Sequence, residues 1–157
     1  MNKKKVEIGG GLSPREGYLN VDLRKLPSVD VVAPAYKLPF KDGSKKIVYS
    51  ACMIEHISRA MVIPTLYEWH RVLKVGGKVE LVTVDLASLM DNWKAASWNE
   101  VLDGIYGAQD YPEDFHGVGF SFDSLSSDLY EAGFSTVELV ESYIYRNIPR
   151  MTVEAVK

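Results

Sequence analysis

The residues of this chain whose types and spacing could do chemistry are Gly9-Gly10-Gly11 and, eleven positions past Gly11, Asp22. Val6-Glu7-Ile8 runs into the glycines, and Tyr18-Leu19-Asn20-Val21 runs into the acid. The order reads as strand, glycine loop, second strand, then a carboxylate at the strand's end. Glycines let the backbone approach a ligand closely and accept positive φ. An acid at a strand tip can accept hydrogen bonds from both hydroxyls of a ribose. The pattern therefore suits a nucleoside ligand. A glycine-rich hairpin turn is the alternative, because a glycine cluster alone is a weak motif. The remaining reactive inventory is three histidines, His56, His70 and His116, and one cysteine, Cys52. A single cysteine cannot form an intrachain disulfide. Cys52, in the run Tyr49-Ser50-Ala51-Cys52-Met53-Ile54, reads as a small, largely buried residue, with a nucleophile as the alternative. The spacing of Cys and His has no zinc-like pattern, so no metal site is expected.

The elements that must position these groups alternate between strand and helix, which predicts an α/β fold with a mainly parallel sheet. Expected strands are Lys5–Ile8, Tyr18–Asp22, Val29–Val32, Ile47–Ser50 and Lys78–Val84. The clearest helix is Met61–Lys74, where Val62, Leu66, Trp69 and Leu73 recur on one stripe. Gly76-Gly77 is expected to end it, with Lys74 in the last turn. A second helix, Phe122–Ala132, has Ser121 as its cap, Phe122, Leu125 and Leu129 facing inward and Gly133 as its stop. Val137–Val140 and Met151–Val156 read as two final strands. The mixed, aromatic stretch Leu86–Gly119 is expected to be a lid or substrate surface.

At 157 residues the chain fits one domain with a sizeable core. A formal charge of −3 provides no global field for nucleic acid or an anionic membrane. Lys3-Lys4-Lys5, the one sharp basic run, reads as a solvated terminus. No apolar run reaches transmembrane length and no signal peptide precedes Val6, so a cytoplasmic protein with neither membrane nor nucleic-acid partner is expected.

Five segments in this order resemble the class I S-adenosylmethionine-dependent methyltransferases, and most closely the small group with the type 11 methyltransferase domain. They are Ile8-Gly9-Gly10-Gly11 through Asn20-Val21-Asp22, then Leu38-Pro39-Phe40-Lys41-Asp42-Gly43-Ser44, then Ile54-Glu55-His56, then Glu68 through Gly77, and Ala132-Gly133-Phe134. The resemblance covers nearly the whole chain. It implies a Rossmann-like, doubly wound, mostly parallel seven-stranded sheet with a final antiparallel strand, and S-adenosyl-L-methionine as cofactor. It places Gly9 and Gly11 against the methionine part, Asp22 at the ribose, Ala35 and Tyr36 beside the adenine, and Ser50 and Ala51 on the cofactor's other side, with Gly10 and Leu23 as further cofactor-binding residues. The short loop after Gly11 implies a first helix of about one turn. That argues against a dinucleotide fold, whose pyrophosphate needs the helix amino terminus.

The departures are specific. Pro34 stands where the family has an acid that accepts from the adenine amino group, a loss of about 0.5–1.5 kcal/mol in cofactor affinity. Lys45-Lys46 replaces a phenylalanine-aspartate pair, Val75 a proline, and Cys52 a polar residue.

Methyl transfer is an in-line displacement, and much of its catalysis is positioning. In related proteins a histidine in the loop before the late helix faces the active-site mouth. His116, in Asp114-Phe115-His116-Gly117, is accordingly the candidate base or acceptor-orienting residue. Asp85, after the fifth strand, is the second catalytic candidate, with an N-cap as its alternative role. His56 and His70 are expected to be structural, and Glu55 to lie near the mouth. The expected substrate is a small molecule or glycan precursor. The Leu86–Gly119 stretch must cover the pocket, or a second subunit in a homodimer must. A non-catalytic binding or scaffold module of the same fold is the alternative, motivated by Pro34 and Lys45-Lys46. A nicotinamide-dependent oxidoreductase is a more remote one.

Overall fold

The computed structural model describes residues 3–157. Seven strands form one sheet: β1 (Lys5–Ile8), β2 (Leu19–Asp22), β3 (Val31–Val32), β4 (Lys45–Ala51), β5 (Leu73–Val84), β6 (Thr136–Tyr145) and β7 (Ile148–Val156). Their order is β3-β2-β1-β4-β5-β7-β6. The first five are parallel, and β7 runs antiparallel to both β5 and β6. This is a Rossmann-like α/β sheet with a final antiparallel strand. The chain steps outward from β1 to β3, then returns to lay β4 on the other side of β1. That reversal opens a crevice at the carboxyl ends of β1 and β4, where ligands bind in such sheets.

Four helices accompany the sheet: α1 (Val62–Val72), α2 (Leu86–Asn92), α3 (Trp98–Tyr106) and α4 (Phe122–Glu131). Register explains where α1 and α4 go. Leu19, Val6, Val48, Val79 and Ala155 lie side by side across the sheet, and Val21, Ile8, Leu81 and Val153 lie in a parallel row on the same face. These rows form the core with Val62, Leu66, Trp69 and Val72 of α1 and Leu125 and Leu129 of α4. The intervening residues point the other way, because side chains alternate along a strand. Their row, Asn20, Glu7, Tyr49, Glu80, Glu154 and Glu138, is mostly charged or polar.

The link from β1 to β2 consists of turns and contains no α-helix, although parallel neighbours are usually joined through one. The loop packs on the polar row instead. Arg15 N–H donates to Glu7, and its guanidinium lies 4.5 Å from the Tyr49 ring centre and 3.2 Å from a Glu80 oxygen. A helix would need an apolar face there, which this row does not offer.

Gly76-Gly77 does not terminate the first helix. α1 stops at Val72, Leu73 is already extended, and Leu73 pairs with Lys45. The glycines lie in a bulged start of β5. Gly76 N–H donates to the Lys157 carbonyl and Lys157 N–H to the Gly77 carbonyl. Gly76 has φ +70, and a Cβ at Gly77 would meet the Lys74 carbonyl at 2.8 Å, so glycine serves the bulge rather than a cap. The last two strands run longer than their apolar centres suggest and form a hairpin. Its turn residues, Arg146 and Asn147, both have positive φ. Lys45 is 7 % exposed and reaches out of the core, with its ammonium over the Phe40 ring and donating to the Lys3 carbonyl. Burial lowers its pKa, and the neighbouring Lys4 adds to this.

Candidate active site

The crevice at the carboxyl ends holds a cavity of about 280 Å³. Gly9, Asp22, Leu23, Ala35 and Tyr36 line it, and Pro34 lies between them. Gly9 has φ +78, and a Cβ on it would meet Met53 Cγ at 2.3 Å, so only glycine fits this floor. Gly10 and Gly11 stand behind the wall. Gly11 N–H donates to Asp22 Oδ2 at 3.1 Å, and its carbonyl accepts from Asn20 Nδ2 at 3.1 Å and Ser28 Oγ at 2.7 Å. The glycine loop thus fixes the carboxylate it precedes. Ser50 and Ala51 do not line the cavity. Ser50 is fully buried and donates to the Ile8 carbonyl at 3.1 Å, tying β4 to β1.

Asp22 is 5 % exposed. Besides Gly11, it accepts from Arg24 N–H at 2.8 Å, Arg24 Nε at 3.2 Å and Arg24 Nη2 at 3.3 Å. The Arg24 guanidinium also lies 4.3 Å from the Tyr111 ring centre. Tyr111, Pro112, Glu113 and Phe115, from the loop after α3, also line the cavity. Sequence reasoning did not single out Arg24 or Met53, and it named Tyr111 only as one aromatic of the middle stretch. Only the position of Arg24 two residues past the acid could have marked it.

A second cavity of about 430 Å³ adjoins the first, and Cys52, His56 and Tyr111 line both. Glu55, Asp114, His116 and Arg150 belong to the second. His116 is anchored on both sides. Its N–H donates to the Tyr106 carbonyl at 3.1 Å, and Gly117 N–H donates to the Glu55 carbonyl at 2.8 Å. Its Nδ1 lies 3.1 Å from the Gly104 carbonyl, which makes Nδ1 the protonated nitrogen of a neutral ring and leaves Nε2 with the lone pair. Burial holds this imidazole below the usual histidine range. Glu55 pulls the other way, and His56 reinforces the lowering.

Asp85 lines neither cavity. It is the N-cap of α2, and its two carboxylate oxygens accept from Ser88 N–H at 3.1 Å and Ser88 Oγ at 2.6 Å. This capping engages the group the sequence offered as a second catalytic residue. Cys52 has φ +47 at the end of β4. Burial pushes its thiol up to about 12, with Glu55 adding to the rise, so it is a poor nucleophile. His70 packs edge-to-face on Phe134 and supports the Gly133 turn.

Two motifs turn out to be one structural clamp. Arg71 donates to the carbonyls of Leu38 and Phe40 and pairs with Asp42 and Glu68, while Leu38 N–H donates to Glu68 at 2.6 Å. Burial works against the Glu68 carboxylate, but Arg71 and the Leu38 N–H outweigh it and hold its pKa below the usual range. Trp69 Nε1 donates to the Ala35 carbonyl at 3.1 Å, so α1 also sets one wall of the cavity.

Residues 10–81, from the glycine loop into β5, match the family model of the methyltransferase domain, type 11. The fold is similar to a Thermotoga maritima S-adenosylmethionine-dependent methyltransferase described as a possible histamine N-methyltransferase. The TM-score is 0.68 at 19% identity, over 98% of this chain and 82% of that one. It is also similar to the YcgJ protein of Bacillus subtilis (TM-score 0.67, 16% identity, 98% and 91% covered). A third similar structure is the Burkholderia thailandensis 1,6-didemethyltoxoflavin-N1-methyltransferase with its substrate and S-adenosylhomocysteine bound (TM-score 0.66, 16% identity, 98% and 70% covered). No curated protein matches the chain in sequence. Residues 10–81, somewhat under half of the chain, are thus similar to the type 11 methyltransferase domain, and the α/β fold of the whole chain is that of Rossmann-like methyltransferases.

Proposed function

We propose that the first cavity holds S-adenosyl-L-methionine and that a small polar molecule or glycan precursor is methylated in the second. The observation that carries this reading is the common wall. Cys52, His56 and Tyr111 line both cavities, so a cofactor in one and an acceptor in the other would meet there. The residues present fit the cofactor. Asp22 offers a fixed carboxylate, Gly9 offers a floor that a Cβ would fill, and Ala33, Pro34, Ala35 and Tyr36 offer a largely apolar wall.

Bound S-adenosylmethionine supplies an electrophilic methyl group on sulfur. The chain's part is to position and protect. Asp22 accepts from the ribose hydroxyls once the Arg24 side chain turns aside. Tyr111 and Phe115 exclude water from the crevice. His116, with Nε2 free, orients the acceptor or takes its proton, and its lowered pKa keeps it neutral near pH 7. A positively charged group on the acceptor would meet Glu55 and Asp114, which line the same space.

Calorimetric titration with S-adenosylhomocysteine tests the reading. Micromolar binding that weakens at least about tenfold in Asp22→Asn, with thermal unfolding checked in parallel, is the expected result. No binding at millimolar ligand would instead support a non-catalytic module of this fold, and partners would be sought in place of substrates.

A further inference from the structure

Three buried side-chain atoms of residues that line the second cavity have no hydrogen-bond partner among the described residues: Arg150 Nε and two more. One of these two is Oε1 of Glu55, a residue 2 % exposed, whose other oxygen accepts from Thr83 Oγ1 at 3.0 Å. The other is Nδ1 of His56, whose nearest acidic neighbour is Asp114 at 3.9 Å. His116 completes the group. Its ring meets that of His56 edge-to-face at 4.8 Å, and its Nδ1 is held by the Gly104 carbonyl. One ligand atom from each of Glu55, His56 and His116 lies within 4.8 Å of the others.

A buried carboxylate oxygen facing two imidazoles is normally satisfied, because leaving it unpaired is costly. A direct hydrogen bond from either ring would satisfy it, and neither ring makes one. A cation between the three groups would satisfy the carboxylate and both rings together. Two imidazoles and one carboxylate are a donor set for zinc and its neighbours in the first transition row. The outer partners of such a site are also present. The Gly104 carbonyl on His116 and the Thr83 hydroxyl on Glu55 would fix the orientation of two ligands. The Glu55 carbonyl accepts from Gly117 and Val118 N–H groups, which locks the Glu55-His56 turn to the His116 loop.

We propose that Glu55, His56 and His116 bind one divalent transition-metal ion, with a coordination position open to the second cavity. The ion's use rests on the methyl-transfer reading, under which it holds an oxygen or nitrogen of the acceptor beside the common wall. His116 then serves as a ligand and does not act as a base.

The test uses the full chain, freed of metal with a chelator. Cobalt(II) is titrated while visible absorption is recorded, and zinc is titrated calorimetrically. One equivalent of each ion is expected to bind, cobalt with a visible ligand-field band. Binding should weaken about a hundredfold or more in His116→Gln and in Glu55→Gln. His56→Asn replaces either variant if its circular-dichroism melt shows misfolding. No band, or binding unchanged in two folded variants, overturns the site. S-adenosylhomocysteine is titrated into the same samples. Metal bound without it leaves the metal site standing and removes the methyltransferase reading; the reverse removes only the metal site.

Discussion

Asp22 meets four donors: the N–H of Gly11 and three from Arg24, of which Nε and Nη2 belong to the side chain. A carboxylate has roughly four acceptor sites, so ribose hydroxyls compete with the guanidinium. The Arg24 pair is partly exposed, and such pairs contribute about 0.2–1 kcal/mol. Arg24→Ala should therefore tighten S-adenosylhomocysteine binding about threefold. Calorimetry reads this directly, and equal or weaker binding would show that the two do not compete. The glycine floor is a sharper constraint. Gly9→Ala must force Met53 away and strain a backbone at φ +78, so loss of measurable ligand binding with the fold retained is expected.

At the scale of elements, α1 does more than fill the core. Its Glu68 and Arg71 clamp residues 38–42, and its Trp69 holds Ala35 at the cavity wall. Arg71→Met removes hydrogen bonds to two carbonyls and leaves the half-buried Glu68 without its cation. A loss of about 2 kcal/mol is expected from charge-assisted hydrogen bonds of this kind. Urea unfolding with unchanged slope would measure it, and a change under about 0.5 kcal/mol would show that the clamp is ornamental. The spacing of Leu66, Trp69 and Leu73 revealed the helix but not its end, because Leu73 is buried both as the last residue of a helical stripe and as the first of β5.

For the whole molecule, the sheet separates two tasks. One face packs on α1 and α4, while the carboxyl edge, α3 with the loop after it, and the β6–β7 turn form the cavities. A ligand in the crevice should stabilise the chain by mass action and act locally on its dynamics. Hydrogen exchange with saturating S-adenosylhomocysteine is expected to slow in residues 9–24 and 107–117 and to stay unchanged in the β6–β7 hairpin. Uniform slowing across the chain, or slowing only in the hairpin, would contradict the placement of the ligand. Among the described residues no helix is long and apolar enough to cross a membrane.

Local physics made much of this legible in the chain itself. β-Branched runs become strands, the stripe from Val62 to Trp69 becomes α1, and Ser121 and Gly133 bracket α4. The step from Gly9 to Asp22 is short enough for spacing alone to bring glycine floor and carboxylate together. Tertiary structure decided the rest, because the deciding contacts join residues far apart in sequence or choose between two local roles. Asp85 could cap or catalyse until α2 formed over it. Gly76-Gly77 could stop a helix or bulge a strand until the chain's last residue paired beside them. His116 was one histidine in a loop until Gly117 and Val118 hydrogen-bonded to the Glu55 backbone and set it beside Glu55 and His56. No periodicity encodes that approach; the sheet order brings those two segments to one edge.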